Sequence, residues 1–379
     1  MTFFSSISRK TVCRLLLISI CFLATTLCIN LLSSASFSQE SEWEMHFKLA
    51  ETAMNAGSYL EADDHIRTAV SIAEHRYKDD PRLALSWHNL AENSRVLGYF
   101  NDASLYYGKA AILFEDTLGP THPWTQRTAL GIGSMYADLG YYNMAEKIYK
   151  ILLIEQLKRP AENYLTIIVL ISSVANIYIE VGRLDEAEAL LHRALKLTKK
   201  DGGATLGSMV TNNIAAIYKD RGKYDEALIL YSKTLSWAIQ NLNSGHPGIA
   251  AIHNGLGTVL RYLERYEEAR EHHTLALEII STSSGTRSPS YAQILLRFGL
   301  LESAMGNKEL AERKLLEAIA IREKIFGRNH PFVADAMIEY AAVLREGGKI
   351  GESDVVRSEA EEIRENIKGK FDIIPSPAE

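Results

Sequence analysis

The sequence predicts an all-α solenoid of about eight helix-turn-helix repeats. Three observations carry that prediction. A block typified by "GKYDEALILYSKTL" at 222–235 returns with first residues at 57, 98, 140, 182, 222, 264, 306 and 348. The intervals are 41, 42, 42, 40, 42, 42 and 42 residues, and self-similarity at a fixed period is the signature of a repeat array. Apolar residues on both sides of each block start recur at helical spacing. Small residues also return at fixed distances from the block start. At 379 residues the chain exceeds what one compact core usually holds, and 47% apolar with 23% charged residues is the composition of a folded chain.

The first forty residues stand apart. Arg9, Lys10 and Arg14 precede the apolar run 15–32, and the small-residue stretch "SSASFSQE" follows, with Glu40 the first acidic residue. A basic start, an apolar middle and a small-residue end predict a signal peptide over 1–38, cleaved near Ser38–Gln39. The run is long enough that an uncleaved membrane anchor is the rival reading. All three cysteines (Cys13, Cys21, Cys28) lie in this segment, so neither disulfides nor thiolate metal sites are expected in the body. Without residues 1–38 the chain carries 38 basic and 47 acidic groups, a balance that argues against nucleic-acid or anionic-lipid binding.

The solenoid is expected over 42–368, with a short C-terminal tail at 369–379. In each unit the segment before the block start reads as a first helix, as in Leu90, Ser94, Leu97 or Ile214, Ile217, Tyr218. The glycine that opens the block ends that helix, because a left-handed residue there is free of strain only for Gly. The block itself is a second amphipathic helix, as in Tyr224, Ala227, Leu228, Tyr231 and Leu235. Ala62, Ala103, Ala145, Ala187, Ala227, Ala269 and Ala311 fall five residues after the block start, where a small side chain lets two helices approach. Glu264 replaces the turn glycine in the sixth copy. Ser353 replaces the small alanine in the eighth, the least typical unit, as a solvent-facing cap should be. The stretch "KKDGGATLGS" at 199–208 begins the fifth copy irregularly.

Prolines punctuate the array. Pro81, Pro123, Pro247, Pro289 and Pro331 each lie 17 residues before a block start, preceded by Asp80, His122, His246, Ser288 and His330. Proline suits the first turn of a helix, where its missing N–H is no loss, and the residue before it occupies the cap. The three His-Pro pairs are therefore expected to cap helices, with Ser288 showing that another polar residue fills the place. No metal or cofactor is expected. The His-Pro loops belong to repeats three, six and eight, too far apart to share one ion, and the adjacent His272 and His273 point to different helix faces.

This pattern resembles the tetratricopeptide repeat, with small residues at the same offsets. The 42-residue period and the Leu/Phe-Gly-x-x-His-Pro connection resemble the longer repeats of kinesin light chains and their bacterial relatives. The resemblance implies a right-handed superhelix whose first helices line a concave groove. By that resemblance the groove-facing residues include Arg95, Asn176, Asn213, Lys219, Asn254, Arg261, Tyr262 and Arg345. Arg95, Lys219, Arg261 and Arg345 share one repeat offset and could receive an acidic or carboxyl-ended peptide. Ordinary solvated charge is the favoured reading, since Asp220 and Glu346 directly follow two of them. The Lys/Asn clamp that some relatives use for C-terminal carboxylates is missing: Phe47, His88 and Ser172 stand where its first Lys would be.

No phosphate loop, His-Glu-x-x-His helix or nucleophile elbow appears. The recurrent carboxylates, such as Asp225-Glu226 and Glu267-Glu268, sit near helix starts where negative charge is favourable. The expectation is a non-catalytic, exported scaffold that binds a protein or peptide in its groove, with no nucleic acid or small-molecule substrate. Two alternatives are an assembly factor for an envelope complex held at the membrane through 15–32, and a peptide-sensing regulator whose solenoid changes pitch.

Overall fold

The structure, a computed structural model, describes residues 42–160, 163–198 and 204–366. The signal or anchor reading of 1–38, the tail 369–379 and part of the irregular stretch at 199–203 lie outside the described residues. Sixteen helices and no strand are found among those described. The first helices of successive repeats are α1 (residues 42–56), α3 (Pro81–Leu97), α5 (Pro123–Asp138), α7 (Tyr164–Glu180), α9 (Ala204–Asp220), α11 (Pro247–Tyr262), α13 (Pro289–Ala304) and α15 (Pro331–Glu346). The second helices are α2 (Tyr59–Arg76), α4 (Phe100–Leu118), α6 (Tyr142–Gln156), α8 (Leu184–Leu197), α10 (Tyr224–Asn241), α12 (Tyr266–Ser283), α14 (Lys308–Phe326) and α16 (Ile350–Asn366). Among them none is long and apolar enough to cross a membrane.

The turn chemistry follows the sequence. Gly57, Gly98, Gly140, Gly182, Gly222, Gly306 and Gly348 all have positive φ, and Glu264 takes φ 59°, alone among the described non-glycine residues. The seven repeated alanines and Ser353 are fully buried. Ser353 keeps the place because its hydroxyl donates to the Ala341 carbonyl at 2.7 Å, satisfying a polar group that burial would otherwise penalise. The caps also form as expected. His122 Nδ1 accepts from the Trp124 N–H, His246 Nδ1 from Gly248, His330 Nδ1 from Phe332, Asp80 from Arg82 and Ser288 from Tyr291.

The core runs along the stack rather than gathering at one point. Its largest cluster joins repeats three to five and includes Ile168, Leu170, Ile171, Leu191 and Ile217. Between the two helices of a pair the fit is close: a Cβ on Gly133 would stand 2.6 Å from the Tyr149 ring, so the glycine makes room for the tyrosine.

One feature is absent from the periodic pattern. The solenoid coils until its turns touch. A Cβ on Gly57 would lie 2.3 Å from Cδ of Pro247, and one on Gly98 would lie 2.9 Å from Cδ of Pro289. Nε2 of His330 is 3.1 Å from the carbonyl oxygen of Leu139. Each contact joins the end of a first helix to the start of the first helix five repeats later. The rings of Phe100 and Phe326 stack across the same seam at 5.6 Å. His330 is thus more than the interchangeable cap the sequence suggested: Ser288 satisfies the cap as well, but a serine has no second ring nitrogen to reach Leu139.

Candidate binding cavity

Coiling into contact turns the expected open groove into a cavity of about 660 Å³. One wall comes from repeats two to four, through Arg95, Asp138, Ser173, Asn176 and Glu180. The other comes from repeats six to eight, through Asn254, Gln293, Arg322, Phe326 and Phe332. Most of these side chains belong to first helices, as the concave-face expectation requires. Second helices add Phe100, Tyr142, Tyr149, Ile280, Arg322 and Phe326, which fill the gaps between them.

Three of the eight expected residues reach the cavity: Arg95, Asn176 and Asn254. Arg95 is held between carboxylates, donating to Asp138 at 2.5 Å and to Glu92 at 3.2 Å. Burial disfavours its charge, yet Asp138 and Glu92 outweigh that effect and keep the guanidinium well above its usual pKa. Its Nε has no partner, and neither has the buried Oδ1 of Asn254. One is a donor and the other an acceptor. Asn176 is solvent-accessible on the cavity wall.

The other five do not line the cavity. Lys219 pairs with Asp220 at 2.9 Å, and Arg345 pairs with Asp354 on the second helix of its own repeat. Arg261 lies 4.2 Å above the Tyr262 ring, and Tyr262 stacks on Tyr224 at 4.6 Å, leaving Tyr262 46% exposed. Asn213 is half-buried with its Nδ2 unpartnered. Each of the four cations at the shared offset is engaged by a neighbouring side chain. Three are engaged by carboxylates of their own surroundings, and the fourth is stacked on an aromatic face.

Sequence reasoning missed Glu180, Arg322 and Gln293. Glu180 is accessible but enclosed by the cavity walls, and that enclosure raises its carboxyl pKa, with Lys219 opposing and Asp220 reinforcing the shift. Arg322 is buried, donates to the Phe332 carbonyl at 2.7 Å and also bonds Gln293, and burial lowers its pKa to about 10. It belongs to a second helix, so a rule placing ligand contacts on first helices passes over it. The wall therefore presents interleaved charge of both signs with apolar rings between. Among the described residues no group of three or more His, Cys, Asp and Glu could hold a metal ion.

Comparison with known proteins fits this geometry. A family model for the tetratricopeptide repeat matches residues 207–282 and 248–324, and a second matches 170–205. The chain is 25% identical over 304 residues to Protein KINESIN LIGHT CHAIN-RELATED 2 of Arabidopsis thaliana, covering 77% of this chain and 44% of that protein. It is 23% identical to Protein KINESIN LIGHT CHAIN-RELATED 3 of the same plant over a similar span. The chain thus spans under half the length of these relatives. Among solved structures it resembles a Rap protein complexed with Competence and Sporulation Factor, with TM-score 0.62 and 15% identity over 88% of both chains. It also resembles the Rap conjugation gene regulator of plasmid pLS20 in complex with the Phr* peptide, with TM-score 0.61 and 15% identity, covering 86% of this chain and 96% of that one. At such identity these two structures establish the shared fold alone.

Proposed function

We propose that this chain, a tetratricopeptide-repeat protein with kinesin-light-chain-like repeats, is a non-catalytic scaffold that takes an extended peptide segment into its central cavity. The observation that carries this reading is the cavity itself. Its volume falls within the roughly 300–1,000 Å³ typical of ligand sites. Its wall carries the side-chain amides of Asn176 and Asn254, and Asn176 is exposed. A peptide backbone carries both an N–H and a C=O per residue and can pair with an amide without regard to its own side chains. The rings of Phe100, Phe326 and Phe332 suit its apolar side chains, and the neutralised cations give no general preference for acidic ligands.

Affinity capture from the exported fraction, followed by fluorescence anisotropy with the recovered peptide, tests this. The variant carrying both Asn176→Ala and Asn254→Ala is expected to bind at least about tenfold more weakly, the scale of losing one or two buried hydrogen bonds. Unchanged affinity in that variant, with binding lost instead on altering Tyr262, would move the site to the exposed Tyr224–Tyr262 stack.

Export remains part of the proposal and rests on the basic, apolar and small-residue order of 1–38. N-terminal sequencing of the native protein should find a chain beginning near residue 39. A chain that keeps 15–32 would favour the membrane-anchored assembly factor. The absence of any recognised catalytic motif supports a non-enzymatic role.

A second reading, a peptide-sensing regulator, is favoured by the seam. A ligand in the cavity would touch both turns of the superhelix, so it would bind one pitch better than another and shift the balance between them. Small-angle scattering with and without peptide decides this, and an unchanged envelope would exclude it.

A further inference from the structure

Two pairs of histidines occupy equivalent places in repeats one and six. His253 on α11 and His272 on α12 bring their Nδ1 atoms to 2.7 Å, and His46 on α1 and His65 on α2 bring theirs to 3.1 Å. The ring centroids are 5.0 and 5.3 Å apart. In both repeats the first histidine lies eleven residues before the block start and the second eight after it. The other six repeats have no histidine at either position; Ile171 with Leu190 and Leu295 with Lys314 are examples of what stands there. A position needed only for packing would be filled as those are, and the two histidines would not be present or absent together.

We propose that each histidine pair binds a divalent transition-metal ion such as Zn²⁺ through its two Nδ1 atoms. Two imidazole nitrogens bound at about 2.0–2.1 Å to a tetrahedral ion stand about 3.3 Å apart. The pairs need to open by only a few tenths of an ångström, each ring carrying its proton on Nε2. Without metal the same atom of each ring faces the other, so one must donate and one accept. With metal both lone pairs are used alike. His46, His65 and His272 are half-buried, which gives an ion a route from solvent, while His253 is fixed in the core. Burial holds His253 and His272 below their ordinary pKa, so both are neutral and ready to ligate near pH 7.

A carboxylate stands one helical turn before the second histidine in both repeats, Glu268 before His272 and Glu61 before His65. Glu268 is now paired with Arg265 at 2.6 Å, and its charge already acts on His272. Released from Arg265, its carboxylate would accept a hydrogen bond from a metal-bound water, and waters would fill the positions the two histidines leave open. The two sites sit on repeats that touch across the seam, where Gly57 meets Pro247 and Gly285 meets Leu60. Metal binding would therefore fasten the two helices of each contacting repeat.

The test is titration of the full chain with Zn²⁺ by isothermal calorimetry, with Cys13, Cys21 and Cys28 alkylated so that thiolates do not compete. Two equivalents are expected for the unaltered chain, one for His272→Gln and none for His65→Gln with His272→Gln. His192→Gln, which alters an exposed histidine outside both pairs, should keep two. No saturable binding, or a stoichiometry unchanged by His272→Gln, overturns the proposal. If the glutamine variants fail to fold, electron paramagnetic resonance of the unaltered chain with Cu²⁺ decides. Coupling to two imidazole nitrogens per ion supports the sites, and coupling to one or none overturns them.

Discussion

His330 and Leu139 are 191 residues apart in sequence, yet the ring Nε2 of one lies 3.1 Å from the carbonyl oxygen of the other. The same ring accepts from the Phe332 N–H through Nδ1 and stacks on Phe326 at 4.7 Å. It is a helix cap on one side and a bond between superhelical turns on the other. Replacing it with serine separates the two roles. His330→Ser should keep the cap, as Ser288 does, and leave the Leu139 carbonyl without its partner. A loss of about 1–3 kcal/mol in urea unfolding is expected. A loss no larger than that of His246→Ser, which alters a cap only, would show that the bond to Leu139 adds nothing.

The seam can be isolated with two glycines. Gly57 and Gly222 both have positive φ, 81° and 73°, so alanine at either meets the left-handed penalty of roughly 1–2 kcal/mol. A Cβ at Gly222 meets nothing within 4 Å, whereas at Gly57 it meets Pro247 at 2.3 Å. Gly57→Ala should therefore be more destabilising than Gly222→Ala by about 1–3 kcal/mol, the scale of overpacking. It should also enlarge the radius of gyration, and equal losses with equal radii would argue against a closed seam.

Glu264 offers the reverse test. It holds φ 59° where every other described block start has glycine. Glu264→Gly should raise stability by about 0.5–1 kcal/mol, the relief of left-handed strain less the added freedom of the unfolded chain. A lower melting temperature would mean that the Glu264 side chain stabilises the turn in a way the backbone does not reveal.

Acid should loosen the fold through its histidines. Burial lowers His88, His253 and His330 to about 4 and His273 to about 3, from an ordinary value of 6.5. With folded values below the unfolded one, the unfolded chain binds more protons in between. The stabilisation is complete above about pH 6.5 and is lost as pH falls from there through 4. Urea midpoints measured from pH 7.5 to 4 should decline across that window, and His273→Leu should flatten the decline. His273 suits this test because both its nitrogens are buried without partners and its ring stacks on Phe298 at 5.6 Å.

The regular part of this architecture was legible in the sequence because each rule acts within one repeat. Turn glycines, buried alanines and capped prolines are local demands, so they recur at fixed offsets and appear when the copies are aligned. The closure was not legible. It depends on the small rotation between successive units, which accumulates over five of them before Gly57 meets Pro247. The cavity was half legible for a related reason. The resemblance points to Arg95, Asn176 and Asn254 as groove residues, but the partner of Arg95 is Asp138 in the following repeat, and Arg322 enters from a second helix. The histidine pairs were hidden by a spacing of 19 residues. His272 was weighed against its neighbour His273, when its companion is His253 on the facing helix.

A stack whose units touch only their neighbours yields to a pull at its ends one unit at a time, like a rope paid out from a coil. Here the first three units are each fastened to one five places on. Tension applied to the two ends would meet the Gly57, Gly98 and Leu139 fastenings together before any single repeat could peel away. Force spectroscopy would then record one tall initial rupture followed by a train of smaller ones, and the tall event alone should vanish when the fastenings are removed.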